Sequence, residues 1–132
     1  MASSPTPAPA QSSGLEPNIC GLLCWVPIGP VPLIASIIFL VADPYKNNKF
    51  IRFHAFQNLF FAGACIAVWL ALIIAGAILA FAGPLALLML PLWFVFAFGA
   101  LGVMIYMCIK AFGMETPKLP FIGQLAAKQA GL

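Results

Sequence analysis

The sequence predicts an all-α membrane protein: a bundle of three transmembrane helices, the first kinked by prolines, followed by a short amphipathic cytoplasmic segment. Three observations predict it. Hydrophobic residues make up 64% of the 132 positions and charged residues 7%, against about half and about a quarter in soluble domains. A chain this small has too little interior to hide so many large apolar side chains. The apolar residues are also contiguous: positions 19 to 42 carry no charge, and positions 57 to 109 contain no Asp, Glu, Lys, Arg or His. A spanning helix needs roughly 20 apolar residues to cross about 30 Å of hydrocarbon. Finally, the basic residues fall into two groups, Lys46, Lys49 and Arg52, then Lys110, Lys118 and Lys128.

Residues 1 to 18 are rich in Pro, Ser, Ala and Gln and lack apolar periodicity. Such a composition cannot offset its ordering entropy by burial, and a disordered tail is expected. The membrane domain then runs from 19 to 130. Its first span, 19 to 42, holds Pro27, Pro30 and Pro32 in its first half. These prolines should kink it near the interface, with Trp25 as an anchor and the regular part at 33 to 42. A cleaved leader fits poorly, because the start is uncharged and the run exceeds the about 7 to 15 residues of a signal core.

Asp43-Pro44-Tyr45-Lys46-Asn47-Asn48-Lys49 is a polar loop with turn chemistry. If the segment beyond it is helical, Lys46, Lys49 and Arg52 line a surface face, where each basic residue near anionic lipid is worth about 1 kcal/mol. Phe50, Phe53 and Phe56 would then point toward acyl chains. Gly83-Pro84 divides the second apolar block into helices at about 57 to 82 and 86 to 110. Loops rich in Lys and Arg stay in the cytoplasm. Three spans put both basic groups on that side, with the N-terminus outside and the C-terminus cytoplasmic. Residues 124 to 130 form a short surface helix, Leu125 facing lipid.

Polar residues near the membrane are few. His54, Gln57 and Asn58 stand at i, i+3 and i+4, so one helix face carries three hydrogen-bonding side chains. They either contact a partner helix, a lipid head group or the 118–123 segment, or cap the helix at the interface. Arg52 is suited to a phosphate, while Asp43 pairs with Lys46 or with Arg52. Gly63, Ala67, Ala71 and Ala75 recur every fourth residue, a small-residue face for helix packing, with intramolecular packing favoured over a dimer seam. Gly99 and Gly102 offer a similar notch on the next helix.

Catalysis, metal and cofactor chemistry are not expected. A single His54 and three dispersed acids assemble neither a nucleophile with its base nor a metal shell. Cys20, Cys24, Cys65 and Cys108 form no CxxC pair and read as small apolar residues. A proton or ion pathway needs an ionisable group within the spans, and none is present. Any pore would arise by oligomerisation, lined by Ser36, Tyr106 and backbone.

The stretch Phe50-Ile51-Arg52-Phe53-His54-Ala55-Phe56-Gln57, with Asp43-Pro44-Tyr45-Lys46 before it, resembles a bacterial family of small multi-pass membrane proteins of unknown function. That family, of the DUF4870 type, is distantly related to the Tic20-like chloroplast import component and to MamF-like magnetosome membrane proteins. Lys110-Ala111-Phe112-Gly113 and Lys118-Leu119-Pro120-Phe121-Ile122-Gly123 resemble its closing motif. The resemblance implies the bacterial inner membrane. A contact surface for a partner or lipid is expected at Asp43, Tyr45, Lys46, Lys49, Arg52, His54, Gln57, Asn58, Lys118, Pro120 and Gly123. The family's four-span relatives exceed the three spans counted here, so a channel model transfers poorly. The function expected is membrane interaction or assembly, not enzymatic activity. The partners expected are anionic head groups, other membrane proteins or a second copy, and no nucleic acid. A subunit of a protein-translocating or small-solute channel is the alternative.

Overall fold

The computed structural model describes residues 14–132; of the disordered tail expected over residues 1 to 18, positions 1–13 lie outside the described residues, while Pro17 and Asn18 already belong to the first helix. Every regular element is helical among the described residues. In chain order they are α1 (Pro17–Leu23), α2 (Val31–Val41), a 3-10 turn (Tyr45–Asn47), α3 (Lys49–Leu79), a 3-10 stretch (Ala80–Leu88), α4 (Met89–Phe112) and α5 (Ile122–Ala130). The stretch from Lys49 to Phe112 is long and apolar enough to cross a membrane. Gly83, at φ 66 and ψ −120, breaks it in two. A residue with a Cβ rarely adopts a positive φ, so glycine fits this bend.

The single kinked helix expected over 19 to 42 is two separate helices. Pro17 starts α1 where its missing N–H costs nothing, and Pro32 does the same in the first turn of α2. Between them Pro27, Gly29 (φ 49) and Pro30 turn the chain back. Three prolines within six positions cannot be absorbed as kinks in one helix, so the chain reverses. At 1.5 Å per residue the 7 residues of α1 and the 11 of α2 reach about 10 and 16 Å, well short of about 30 Å.

The contacts define a hairpin. Leu15 N–H donates to the Tyr45 hydroxyl at 2.9 Å, and Gly21 lies against Ala111 and Phe50. Deeper, Trp25 meets Phe61 with ring centroids 5.5 Å apart, and Gly29 to Leu33 share a groove with Phe61 and Cys65. The return arm ends with Phe39 edge-on to Tyr45 at 4.9 Å. Both ends of the α1–α2 hairpin therefore lie at one end of the α3–α4 pair, where α3 starts and α4 finishes.

The C-terminal segment doubles back in a similar way. From α4 it runs along α3 to Ile122, which sits beside Phe61 and Val103. Then α5 returns antiparallel to α3, setting Ala126, Ala127 and Ala130 on Phe53. The protein's buried core is thus concentrated at this end, and between positions 59 and 106 only Met89 is buried. Phe81 is 94% exposed at the opposite end. Soluble proteins do not carry an apolar surface of this extent. All nine charged side chains, six basic and three acidic, belong to segments at the packed end.

Candidate functional site

The packed end is organised by the first three turns of α3. Asn48 caps the helix, its side chain accepting from Ile51 N–H at 3.1 Å. The turns that follow aim His54, Gln57 and Asn58 inward, and all three are buried. Water is excluded there, so each polar group must find its partner within the chain.

His54 binds two segments. Its Nδ1 accepts from the Trp25 indole N–H at 3.1 Å, and its Nε2 lies 2.9 Å from the Glu115 carbonyl. An indole nitrogen only donates, so Nδ1 is unprotonated and Nε2 carries the hydrogen donated to Glu115. His54 precedes the apolar run that begins at Gln57. Phe50 and Phe53 flank the ring edge-on at 4.6 and 5.2 Å. With both nitrogens engaged, His54 has none left for a metal or a substrate.

Gln57 does for residues 117 to 119 what a neighbouring strand would do. Its amide nitrogen donates to the Pro117 carbonyl at 3.1 Å, and its oxygen accepts from Leu119 N–H at 2.8 Å. Lys118, between these two anchors, is exposed. Its backbone leaves no room for a side chain at Gly123, where a Cβ would stand 2.5 Å from Lys118 Cα. Gly123 N–H closes the loop onto the Leu119 carbonyl at 2.8 Å, and Ile122 N–H closes a tighter one onto Pro120 at 2.6 Å.

Asn58 reaches α2. The Ser36 hydroxyl lies 2.7 Å from the Pro32 carbonyl and 3.1 Å from the Asn58 side-chain oxygen. One hydroxyl hydrogen cannot serve both acceptors. The count balances when the Asn58 amide is turned over, its nitrogen donating to Ser36 while Ser36 donates to Pro32. Either way Ser36 is fully buried and lines no pore within this chain.

Of the two pairings open to Asp43, the one with Lys46 forms and the one with Arg52 does not. Arg52 donates to the backbone carbonyls of Lys46 at 3.3 Å and Gln129 at 3.2 Å, with its guanidinium 5.1 Å from the Phe56 ring centre. It caps α5 rather than pairing with Asp43. Lys46 takes Asp43 at 3.6 Å, and Lys110 takes Glu115 at 3.4 Å. Tyr45 holds Leu15, and Pro120 supplies the carbonyl of the tight turn.

Other expectations are corrected. Trp25 is fully buried against His54 rather than anchored at an interface, and Phe53 is buried beneath α5 rather than facing acyl chains. Gly63, Ala67 and Ala71 are exposed and Ala75 is half-buried. A Cβ on Gly63 would meet nothing within 4 Å. This face is not packed within the chain. Trp25, expected only as an interfacial anchor, Ser36, expected only as a lining of an oligomeric pore, and the backbone of Glu115 and Pro117 belong to the polar network. Their partners lie 22 to 61 residues away, a separation that local spacing does not encode. Among the described residues, no group of three His, Cys, Asp or Glu side chains is placed to hold a metal ion.

An all-helical chain with charge confined to one end and unpacked apolar helices beyond it is a membrane protein. Its relatives are of the same kind. It is 35% identical to a UPF0132 membrane protein of Archaeoglobus fulgidus over 118 residues, covering 89% of this chain and 98% of the relative. A second, from Methanocaldococcus jannaschii, is 32% identical over 117 residues, covering 87% and 89%. The chain belongs to the UPF0132 membrane protein family. No family model and no solved structure matches it.

Proposed function

We propose that this chain is a multi-pass protein of the cell membrane that serves as an assembly component, pairing through α3 with a second membrane helix. The observation that carries the reading is the open face of Gly63, Ala67 and Ala71, three exposed small residues on one side of a long apolar helix. In lipid, small residues let backbones approach closely, and packing drives association where the hydrophobic effect cannot. Cross-linking in native membranes tests it. The wild-type chain should yield a cross-linked complex, with itself or with another membrane protein. Ala67→Leu should lose most of that complex, and Ile73→Leu, exposed about a third of a turn away from that face, should keep it. A wild-type chain that stays uncomplexed, or an Ala67→Leu chain that pairs as before, refutes the reading.

The membrane path we propose has two complete crossings, α3 and α4. The α1–α2 hairpin enters from the cytoplasmic side and returns to it. Support comes from the shortness of α1 and α2, from the Leu15–Tyr45 hydrogen bond and from the charges gathered at one end. By the preference of Lys and Arg for the cytoplasm, that end is cytoplasmic. The N-terminal segment then lies inside, where three spans would put it outside. Topology reporters at Leu15, Asn47 and Gln129 should report one side and a reporter at Gly83 the other. A reporter at Leu15 on the Gly83 side would restore three crossings.

A channel subunit is the second reading, favoured by one feature. Broken helical hairpins are tolerated at membrane depth where protein or a water-filled cavity surrounds them. The α1–α2 hairpin is of this type, and the Tic20-like resemblance points the same way. Its polar side chain Ser36 is spent on Pro32 and Asn58, which favours the assembly reading.

A further inference from the structure

The helix α5 has two stripes. Gly123, Ala126, Ala127 and Ala130 are buried, the alanines on Phe53 of α3. On the outward side Phe121, Leu125 and Lys128 follow at i, i+4 and i+7, all exposed, Phe121 at 84% and Leu125 at 52%. With Gln124 they line a surface concavity of about 350 Å³.

The stripe has a direction relative to the membrane. Its Phe121 end adjoins Ile122, which sits beside Phe61 and Val103 within the apolar run. Its Lys128 end adjoins Gln129, held by Arg52, and Gly131, which Lys49 approaches. Seven residues at 1.5 Å each cover roughly 10 Å. The order of aromatic, aliphatic and cation from within the bilayer outward matches a phospholipid from acyl chain to phosphate.

Charge points to the sign of the head group. Asp43 and Glu115 are taken by Lys46 and Lys110. Among the described residues neither Lys118 nor Lys128 has a carboxylate within salt-bridge distance. Arg52 occupies the Gln129 carbonyl, offsetting the negative end of the α5 dipole beside Lys128.

Backbone strain marks the same place. Phe121 sits at φ 63 and ψ −51, the centre of a γ-turn closed by the bond from Ile122 N–H to the Pro120 carbonyl. Side-chain-bearing residues rarely adopt this conformation, and such strain concentrates at functional positions. Glycine would hold the turn without strain. Instead the chain places there a large ring, turned away from its own core.

We propose that the Phe121–Leu125–Lys128 stripe binds an anionic phospholipid of the surrounding leaflet. The acyl chain runs along Phe121 and Leu125 and the phosphate meets Lys128, with Lys118 adding to the positive potential. This surface is separate from the α3 seam, and either proposal stands if the other fails.

Thermal unfolding of the purified full chain in uncharged detergent tests it, with phosphatidylglycerol or phosphatidylcholine added. Phosphatidylglycerol should raise the wild-type Tm several degrees more than phosphatidylcholine does. Lys128→Glu should lose that difference. Phe121→Gly should keep or raise the lipid-free Tm, since its strain is relieved, yet respond less to either lipid. Equal shifts from the two lipids in the wild type, or an undiminished preference in Lys128→Glu, overturn the proposal. A photo-cross-linker at Leu125 in native membranes should capture phospholipid, and capture of a polypeptide in its place also overturns it.

Discussion

Gly123→Ala should detach α5 from α3. The added methyl would collide with Lys118 Cβ and stand 2.5 Å from Lys118 Cα. The first obstacle is not a flexible tip and the second is backbone, so the segment itself must move. Movement there is expensive because Lys118 is fixed on both sides by Gln57, through Pro117 and Leu119. Overpacking costs about 1–3 kcal/mol where side chains can adjust, and more where backbone must shift. A loss of about 3 kcal/mol or more is expected, through overpacking and through the exposure of Phe53. Amide hydrogen exchange across 122–130 should accelerate sharply, and protease should cut after Lys128 in the variant before the wild type. Gly63→Ala should leave both measurements unchanged, because nothing lies within 4 Å of its new methyl. Equal exchange in wild type and Gly123→Ala would show that the close approach at Lys118 is not maintained.

The same contacts explain how irregular backbone is tolerated at this depth. Residues 113 to 121 are not helical, and their peptide groups would be costly beside hydrocarbon unless they were paired. His54 takes the Glu115 carbonyl, and Gln57 takes the Pro117 carbonyl and the Leu119 N–H. From the same inward face of α3, His54 and Asn58 also hold the α1–α2 hairpin, through Trp25 and Ser36. One helix face therefore clasps two segments, one from each end of the chain.

Part of this was legible in the sequence. The apolar run from 57 to 109 and the break at Gly83-Pro84 follow from hydrophobicity and turn chemistry, which are local. The inward face of His54, Gln57 and Asn58 follows from helical spacing and from the cost of polar groups near lipid, and contact with the 118–123 segment was one of its readings. The reversal at Pro27 to Pro32 was misread. Prolines announce a break, but whether a chain kinks and continues or turns back depends on what it packs against. Here that is Phe61 and Cys65 on a helix some 30 residues later. Charge placement does not decide between the two, since an N-terminal segment without Lys or Arg accepts either side. Phe121 was hidden for another reason: nothing in an aromatic side chain announces a positive φ.

His54→Phe gives the second large effect. Phenylalanine keeps most of the ring volume but leaves the Trp25 N–H and the Glu115 carbonyl without partners. Each orphaned buried group costs about 1–3 kcal/mol, so a loss of roughly 2–6 kcal/mol is expected. Both segments that His54 holds should loosen with it. Denaturant unfolding of the purified chain in detergent should show the loss of stability, and amide exchange across 17–23 and 113–119 should accelerate in the variant. Equal stability and equal exchange in wild type and His54→Phe would mean that His54 is solvated, and that the bond to Trp25 does not hold α1 in place.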